Sequence, residues 1–526
     1  MPTLEWIGKD KVVNHHQEVP FMILDKKYTF NAENSENMII HGDNLLALKS
    51  LLPKYEGRID CIYIDPPYNT GNEKWVYNDN VNDPRIKKWL GQVVGTEGED
   101  LSRHDKWLCL MYPRLKLIEK LLSSTGVLFI SIDEHEINHL LTICVEIFGS
   151  FNVESLVWMK NDSKVDRNTN AKIINRTKSI HEYVVVCYKN KKETRFKKMM
   201  KLPSWSHDGK NPDKDPRGPW QSGIISFEEG HKKEDKNSEY YYTITTPSGK
   251  TYTRMWYVLK EEWDRLVADN RISFPKNGDG VPRLKTYQYE EKEYYMDSIL
   301  TGVGTSSSAK DEIESIFGDR NLFDTPKPEK LIKELLRVSS KKDSIILDSF
   351  AGSGTTAQAV LDLNNQDGGN RKFILVEMMD YADAITAERV KRVINGYGNG
   401  NKAVVGIPGD FTYYELGQPL FKDDKNLNEE VPEEEIRKYV YYMETKKPLD
   451  TGTTDNPYLL GKNNDTAYYF YYKKDEITTL NHEFLSTINT KATEYIIYAD
   501  KCVLAQEVME KFNIVFKKIP RDITRL

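Results

Sequence analysis

Short hydrophobic runs alternate with longer helical patterns along two stretches of the chain, residues 38–190 and 320–415. The runs at 59–64, 127–132, 183–188, 343–347 and 373–376 are short, apolar and bounded by turn residues. Runs of this kind are typical of buried strands in a parallel sheet. Because strands and helices alternate in both stretches, we predict one doubly wound, Rossmann-like α/β sheet assembled from both halves of the chain.

The chain between and beyond these stretches has a different texture. The segment 195–315 is rich in Tyr, Trp, Gly, Pro and Lys, with short alternating runs such as 240–245. An acidic stretch follows residue 417, and a Tyr-rich segment follows that. We therefore predict an N-terminal arm (1–37), a first half of the sheet domain (38–194), a β-rich insertion (195–315), a second half (316–417) and a small C-terminal module (418–526) suited to docking a partner.

The first candidate chemical motif is Asp65-Pro66-Pro67-Tyr68, directly after the predicted strand 59–64. Open α/β sheets place their ligands at the carboxyl ends of their strands. The two prolines fix the backbone and remove two N–H donors, so the Asp65 carboxylate and the Pro66 carbonyl form a rigid pair of acceptors. Such a pair suits an exocyclic amine with two N–H groups, and Tyr68 offers a face on which a base can stack. The alternative is an ordinary turn.

The second motif runs from Asp348 to Thr356 and contains Gly352 and Gly354. It lies between a predicted strand and a predicted helix, which is the arrangement of a nucleotide-type cofactor site. The glycines allow the backbone to approach a ligand closely. Glu377, at the end of the next predicted strand, is placed to accept hydrogen bonds from ribose hydroxyls. The alternative is a simple helix cap.

The order of these motifs resembles that of a known family. The chain resembles the prokaryotic DNA amino-methyltransferases of the permuted (beta) class, in which the catalytic motif precedes the cofactor motif. More narrowly, it resembles the Mod (modification) subunit of type III restriction-modification systems. The resemblance covers roughly residues 35–417 and rests on segments 42–44, 65–71, 107–115, 126–134, 158–160, 181–182, 323–331, 348–356 and 411–417.

The resemblance implies methyl transfer from S-adenosylmethionine to adenine N6 in duplex DNA, after the base has flipped out of the stack. Asp65 and the carbonyl of Pro66 would orient the amine, Pro67 would stiffen the turn and Tyr68 would stack on the base. The insertion 195–315 would be the target recognition domain. No nucleophilic Cys or Ser is needed, because the sulfonium methyl is already electrophilic.

The resemblance also implies a cofactor site. Asp348 would accept from the ammonium of the cofactor, and Glu377 would bind the ribose. Lys327 would lie near the carboxylate of the cofactor, and Asp43 near its adenosyl part. The methionine portion would be held by the turn that contains Phe350, Ala351, Gly352, Gly354 and Thr355.

The charge of the chain is unevenly distributed. The net charge is −6, but residues 160–201 contain thirteen Lys or Arg and four acids. This local excess predicts a contact with phosphates, against the alternative of a solvated surface loop. The predicted DNA-binding residues are Lys160, Lys189, Lys191, Lys192, Arg195, Lys197 and Lys198, together with Arg254 in the insertion.

Composition narrows the setting. The five cysteines show no paired spacing, so we predict neither a disulfide framework nor a metal site. No apolar run approaches the length of a membrane span, and the N-terminus lacks the apolar region of a signal peptide. These features predict a cytoplasmic prokaryotic protein that does not contact membranes.

Several alternatives remain open. A cytosine-N4 methyltransferase would use the same chemistry, although that group more often has Ser at the position of Asp65. An RNA or glutamine methyltransferase would usually have the cofactor motif first. The chain could also be a binding module, one copy in a dimer that reads the DNA sequence without catalysis. A further alternative is a solitary regulatory DNA methyltransferase without a restriction partner. The partners implied by the resemblance are double-stranded DNA, a second copy of the chain and a Res-type restriction subunit.

Overall fold

The computed structural model describes residues 3–69, 103–161, 179–201, 211–287, 289–450, 452 and 456–521. They form two compact units, one comprising Met1–Lys197 and Asp297–Leu526, the other Lys198–Met296. The helices are α1 Lys9–Val12, α2 His15–Glu18, α3 Asn44–Tyr55, α4 Arg103–Leu121, α5 Ile137–Phe148, α6 Lys260–Ala268, α7 Ser306–Phe317, α8 Glu329–Ser339, α9 Thr355–Asp367, α10 Glu388–Asn395, α11 Glu433–Thr445, α12 His482–Ser486 and α13 Gln506–Lys511.

The strands of the larger unit come from both ends of the chain. The first group is β1 Met22–Phe30, β2 Met38–His41, β3 Ile59–Ile64, β4 Leu122–Ile132, β5 Val153–Met159 and β6 His181–Tyr188. In the smaller unit follow β7 Met199–Lys201, β8 Trp220–Gly223, β9 Tyr241–Thr245, β10 Thr251–Met255, β11 Ile272–Ser273, β12 Arg283–Tyr287 and β13 Lys292–Tyr294. The larger unit resumes with β14 Ile299–Leu300, β15 Ile345–Asp348, β16 Lys372–Glu377, β17 Gly396–Tyr397, β18 Val404–Val405 and β19 Phe411–Pro419.

A ten-stranded mixed sheet forms the centre of the larger unit, in the order β1-β19-β2-β16-β15-β3-β4-β6-β5-β14. Its six central strands, from β19 to β4, are parallel to one another. They are buried apolar runs because helices cover both faces of such sheets. The predicted sheet, built from both halves of the chain, is confirmed.

The two halves of the chain meet where β3 lies beside β15. Leu347 of β15 pairs with Ile62 of β3, in parallel. From this pair the chain continues outward in opposite directions, from β15 to β16 and from β3 to β4. A crevice therefore opens at the carboxyl ends of β3 and β15, where doubly wound sheets bind their ligands.

The structure differs from the predicted domain boundaries at two places. Residues 1–37 are more than an arm, because β1 is an edge strand antiparallel to β19. The smaller unit is also shorter than the predicted insertion 195–315: β14 pairs with β5 in the large sheet, so the chain rejoins it from residue 297 onward. The smaller unit itself contains short antiparallel sheets around a core that includes Trp256 and Trp263.

The C-terminal part of the larger unit forms its own small sheet. Four strands form it in the order β20-β21-β23-β25: β20 Leu459–Asn463, β21 Thr466–Phe470, β23 Glu494–Ala499 and β25 Ile514–Lys518. Two further strands, β22 Thr479–Leu480 and β24 Lys501–Cys502, pair separately. Helix α11 packs beside α3, and the Tyr442 hydroxyl donates a hydrogen bond to Glu56. Among the described residues, no helix is long and apolar enough to cross a membrane.

Candidate active site

The two predicted motifs meet at the carboxyl edge of the sheet. Asp65 follows β3 directly, and Asp348 is the last residue of β15. Because these strands are adjacent and parallel, both carboxylates reach one small cavity. Residues of the glycine-rich turn line the same cavity: Phe350, Ala351, Gly352, Ser353 and Thr355.

Asp65 has one occupied and one available oxygen. Its Oδ2 accepts a hydrogen bond of 2.8 Å from Nζ of Lys327. Its Oδ1 is buried and has no hydrogen-bond partner of normal geometry among the described residues. Burial raises the pKa of Asp65, and the ammonium of Lys327 opposes that rise. The site thus holds a carboxylate with a countercharge on one oxygen and an unused acceptor on the other.

Lys327 contacts the turn of residues 65–68, the predicted catalytic turn, and lies beside the turn of residues 348–356, the predicted cofactor turn. We predicted it near the cofactor, and it does line the shared cavity, but its ion pair is with Asp65. Its Nζ is also 4.7 Å from the centroid of the Tyr68 ring. Residues 65 and 327 are far apart in the sequence, so the pairing was not visible there. Lys327 therefore connects the two halves of the site.

Glu182 belongs to the segment 181–182 of the resemblance, and the sequence assigned it no role. The hydroxyl of Tyr68 donates to Glu182 Oε2 at 3.1 Å, and Nζ of Lys160 donates to Oε1 at 3.2 Å. Nζ of Lys327 lies 3.9 Å from Glu182 Oε2. Since β6 is antiparallel to β4, the start of β6 reaches the carboxyl edge of the sheet. Glu182 therefore fixes the Tyr68 side chain and adds a second carboxylate to the site.

A buried tryptophan bonds the backbone of the Pro66-Pro67 turn. Nε1 of Trp107 donates a hydrogen bond of 2.6 Å to the carbonyl of Pro67, and the Trp107 side chain is fully buried. No described residue donates to the carbonyl of Pro66. The turn thus keeps the predicted acceptor, the Pro66 carbonyl, available while the next carbonyl anchors it.

Both glycines of the cofactor turn have positive φ angles, 51° at Gly352 and 82° at Gly354. A Cβ at residue 354 would lie 2.9 Å from the carbonyl oxygen of Thr386, which is backbone and cannot easily move. A Cβ at residue 352 would meet the ring of Phe323 at 3.2 Å. A side chain at residue 354 would therefore collide with backbone, and one at residue 352 would press against the Phe323 ring.

Asp348 holds the two ends of the cofactor turn. Its Oδ1 accepts from the backbone N–H of Phe350 at 3.0 Å, and its Oδ2 accepts from the hydroxyl of Thr356 at 2.5 Å. Burial raises the pKa of Asp348 to about 7, and the neighbouring charge of Asp65 adds to the rise. A buried carboxylate of this kind gains most from a cationic ligand.

Glu377 has a similar environment at the end of β16. Its Oε2 accepts from the N–H of Gly352 at 2.8 Å, and its Oε1 from the N–H of Met379 at 3.0 Å. Burial raises its pKa to about 8. Each carboxylate oxygen has a second lone pair, so Glu377 can still accept from hydroxyl groups.

Asp43 has a structural role in addition to its predicted place near the cofactor. Its side chain caps α3 by accepting from the N–H of Leu45 at 2.7 Å, and it pairs with the buried Arg114 at 3.3 Å. The N–H of Gly42, one residue earlier, donates to the carbonyl of Glu377 at 2.9 Å. Asp43 therefore lies near Glu377 at the cofactor side of the crevice.

The sequence was compared with families and with known proteins. Residues 59–388 match the model of a family described as DNA methylase (N6_N4_Mtase). The chain belongs to this family. It is also 31% identical over 390 residues to the type II methyltransferase M.KpnI of Klebsiella pneumoniae, covering 66% of this chain and 84% of that protein.

Mod subunits of type III restriction-modification enzymes are also similar. The StyLTI Mod subunit of Salmonella typhimurium is 33% identical over 445 residues, which are 79% of this chain and 66% of the relative. The chain thus spans just under two thirds of the length of such Mod subunits. Among solved structures, a complex titled M1.HpyAVI-SAM matches with 14% identity and a TM-score of 0.30, over 67% of this chain and 99% of that one.

The predicted DNA-binding residues of this DNA methylase family member divide into separate groups. Lys160 lies at the catalytic edge, paired with Glu182. Beyond Tyr188 the chain leaves β6 at the opposite edge, because Tyr188 pairs with Val127 at the start of the central run of β4. Lys189 there bonds Glu119 and Lys191 bonds Glu154, each ammonium meeting a carboxylate. Glu119 and Glu154 lie outside residues 160–201, so the local excess of positive charge counted there did not include them.

The remaining residues of the basic segment are held locally. Arg195 donates to backbone carbonyls of Lys192 and Thr194, and Lys197 donates to that of Ser340. Lys192, Arg195 and Lys197 are all exposed. The structure thus gives this part of the segment, which follows β6, no direct contact with the Asp65 crevice, and its role in DNA binding stays a prediction.

In the smaller unit, Lys198 pairs with Glu293 at 2.7 Å. Arg254 donates to the carbonyl of Phe227 at 3.2 Å. Residues 162–178 of the basic segment, and residues 70–71 of the first motif, lie outside the described residues.

The prediction that the chain has no metal site considered cysteine spacing only. The described residues bring His104, Glu136 and His139 together, with ligand atoms within 4.8 Å of one another. The sequence signal that could have indicated this group is the spacing Glu136-x-x-His139, which places both side chains on one face of a helix start.

Proposed function

We propose that this chain transfers a methyl group from S-adenosylmethionine to the N6 amine of adenine in duplex DNA, as the modification subunit of a type III restriction-modification system. The observation that carries the proposal is the unused, buried Oδ1 of Asp65 beside the cofactor turn. Family membership and the likeness to proteins named as Mod subunits support it.

The acceptors of the Pro-Pro turn orient the amine. Asp65 Oδ1 and the Pro66 carbonyl accept its two N–H groups, which draws the nitrogen lone pair out of conjugation with the ring and toward the cofactor. When bound, S-adenosylmethionine supplies an electrophilic methyl on a sulfonium. Positive charge then develops on the amine, and the carboxylates of Asp65 and Glu182 stabilise it in a buried site. The nitrogen–methyl bond would form as the methyl–sulfur bond breaks, and the extra proton of the amine would then pass to the Asp65 carboxylate and on to water.

Lys327 favours the ionised form of the acceptor before the base arrives. Burial alone would favour the neutral acid at Asp65, and the ammonium 2.8 Å away opposes this. The base must leave the DNA stack to reach the turn. Tyr68, whose hydroxyl is fixed by Glu182, is then in position to contact the flipped base.

The cofactor is assigned to the crevice between the ends of β15 and β16. Burial raises the pKa values of Asp348 and Glu377 because it disfavours their charged forms. An ammonium beside Asp348 and ribose hydroxyls that donate to Glu377 would stabilise the two carboxylates. The positive φ of Gly352 lets the backbone approach the ligand without a side chain between them.

The proposed partners are duplex DNA, a Res-type restriction subunit and a second copy of the chain. We assign base recognition to the smaller unit, because the larger unit contains both chemical motifs. Light scattering of the purified chain tests the dimer: a monomer mass at micromolar concentration would contradict it.

The test of the catalytic assignment is a pair of Asp variants from the two ends of β3. Asp65→Ala should lower methyl transfer to DNA by at least about 100-fold, since it removes an acceptor used in the transition state, and should leave DNA affinity nearly unchanged. Asp60→Ala is the matched control, because Asp60 bonds Ser123 away from the crevice and should retain full activity. Equal activities, or a large loss of DNA affinity in Asp65→Ala alone, would contradict the assignment.

A further inference from the structure

A group of two histidines and a glutamate lies next to the catalytic turn. Nδ1 of His104 is 2.7 Å from Oε1 of Glu136, and Nδ1 of His139 is 2.7 Å from Oε2 of the same carboxylate. His104 is the second residue of α4. Glu136 directly precedes α5, and His139 lies in the first turn of α5. Their ligand atoms all lie within 4.8 Å of one another.

The carboxylate at the centre of this group lacks an ordinary countercharge. Glu136 is 0% exposed, and its ion-pair partners among the described residues are the two imidazoles, with no Lys or Arg. Its oxygens contact the two imidazoles and the Asn69 amide, but none of these groups carries a permanent positive charge. A buried carboxylate gains most from a cation beside it. A divalent metal ion would supply that charge while the imidazoles stay neutral.

We propose that His104, Glu136 and His139 bind a divalent first-row transition-metal ion, with Zn²⁺ the ion that best fits the ligands. Imidazole nitrogen and carboxylate oxygen are ligands of Zn²⁺, and two histidines with one glutamate form a known three-ligand set whose further position holds water. Ligands at about 2.1 Å from an ion lie roughly 3.4 Å apart. The nitrogen and oxygen atoms that are now 2.7 Å apart would therefore separate, and ligand atoms up to 4.8 Å apart would approach, by shifts of about 1 Å.

The site would fix the end of the catalytic turn. Asn69 follows Tyr68 directly and is 1% exposed, with a φ of 57°. Its amide donates to Glu136 and, at 3.2 Å, to the carbonyl of Arg103. An ion bound to Glu136 would therefore hold Asn69 in this conformation from outside the crevice, as an outer hydrogen bond fixes a metal ligand. The ion is not needed for the chemistry at Asp65, and only this consequence rests on the proposed function.

The experiment measures metal binding without DNA or cofactor. The full chain is stripped with a chelator and titrated with Co²⁺, whose visible d–d absorption reports coordination by histidine and carboxylate. We expect one Co²⁺ per chain, displaced by one Zn²⁺, and at least a tenfold weaker affinity in Glu136→Gln and in His104→Gln. His135→Ala is the matched control, because His135 bonds Asp133 at 2.9 Å without a third ligand, and it should bind like the wild type.

The outcomes separate the site from a hydrogen-bonded cluster. A stripped wild-type chain that binds no stoichiometric Co²⁺, or variants that bind it as tightly as the control, would overturn the proposal. Because His104 is half-exposed, His104→Gln tests the site even if the buried Glu136→Gln variant does not fold, which circular dichroism checks. A chain that binds the metal but does not methylate DNA would support the site and contradict the proposed function, so the two failures are distinguishable.

Discussion

Replacing Asp348 by Asn should stabilise the unliganded protein and weaken cofactor binding. The substitution is isosteric: Asn Oδ1 can still accept from the N–H of Phe350, and its Nδ2 can donate to the hydroxyl of Thr356. What changes is the charge. The present carboxyl has a pKa raised to about 7 by burial, from an ordinary 3.8.

The magnitude follows from the linkage between protonation and folding. A carboxyl whose folded pKa is raised contributes stability that is present below pH 3.8 and lost as the pH rises to 7. A shift of roughly 3 pKa units corresponds to at most about 4 kcal/mol, which Asp348→Asn should recover at pH 8 but not at pH 4. The expected result is a stability difference between variant and wild type that grows with pH across this window.

Urea unfolding of the unliganded chain at pH 5 and pH 8 measures the first effect, and calorimetric titration with S-adenosylmethionine measures the second. If Asp348 accepts from the ammonium of the cofactor, the lost charged hydrogen bond, about 1.5–3 kcal/mol, should weaken binding by about 10- to 150-fold. Asp343→Asn is the control, because Asp343 is exposed just before β15 and should change neither quantity. A variant that is less stable at pH 8, or that binds the cofactor like the wild type, would refute the reasoning.

Other predictions follow from the same geometry. Lys327→Met should raise the pKa of Asp65 further, because the opposing ammonium is lost, and should move the acid limb of the methylation pH profile to higher pH; an unmoved limb would argue against the pairing. Gly354→Ala should lower the free energy of unfolding more than Gly352→Ala, by more than about 1 kcal/mol in chemical denaturation, because its Cβ meets backbone rather than a ring. Lys189→Ala tests the predicted phosphate contact: the log–log slope of DNA affinity against salt should become smaller, whereas an unchanged slope would leave that lysine as the partner of Glu119 alone.

The parts of the fold that depend on local sequence were predictable. Strands β3, β4, β6, β15 and β16 contain continuous apolar segments, and such segments can be recognised in the sequence as buried strands. The two motifs follow β3 and β15, and parallel strands bring their carboxyl ends to one edge. The edge strand β1 was missed because its burial is only intermediate and it pairs with a strand at the far end of the sheet domain.

The side-chain partners of the site were not predictable, because they depend on distant pairings. Lys327 is placed beside Asp65 by the approach of the two halves of the chain, which no local pattern encodes. The direction of β6 decides that Glu182 lies at the catalytic edge and Lys189 at the other. A count of charges along the sequence cannot distinguish these positions.

The proposed product is N6-methyladenine in duplex DNA, made at the Asp65 crevice. The direct measurement is incubation of the purified chain with labelled S-adenosylmethionine and mixed-sequence duplex DNA, digestion to nucleosides and identification of the labelled nucleoside by mass. We expect labelled N6-methyldeoxyadenosine with the wild-type chain and none with Asp65→Ala. Labelled N4-methyldeoxycytidine would contradict the assigned base, and no transfer to DNA by the folded wild-type chain would contradict the central claim.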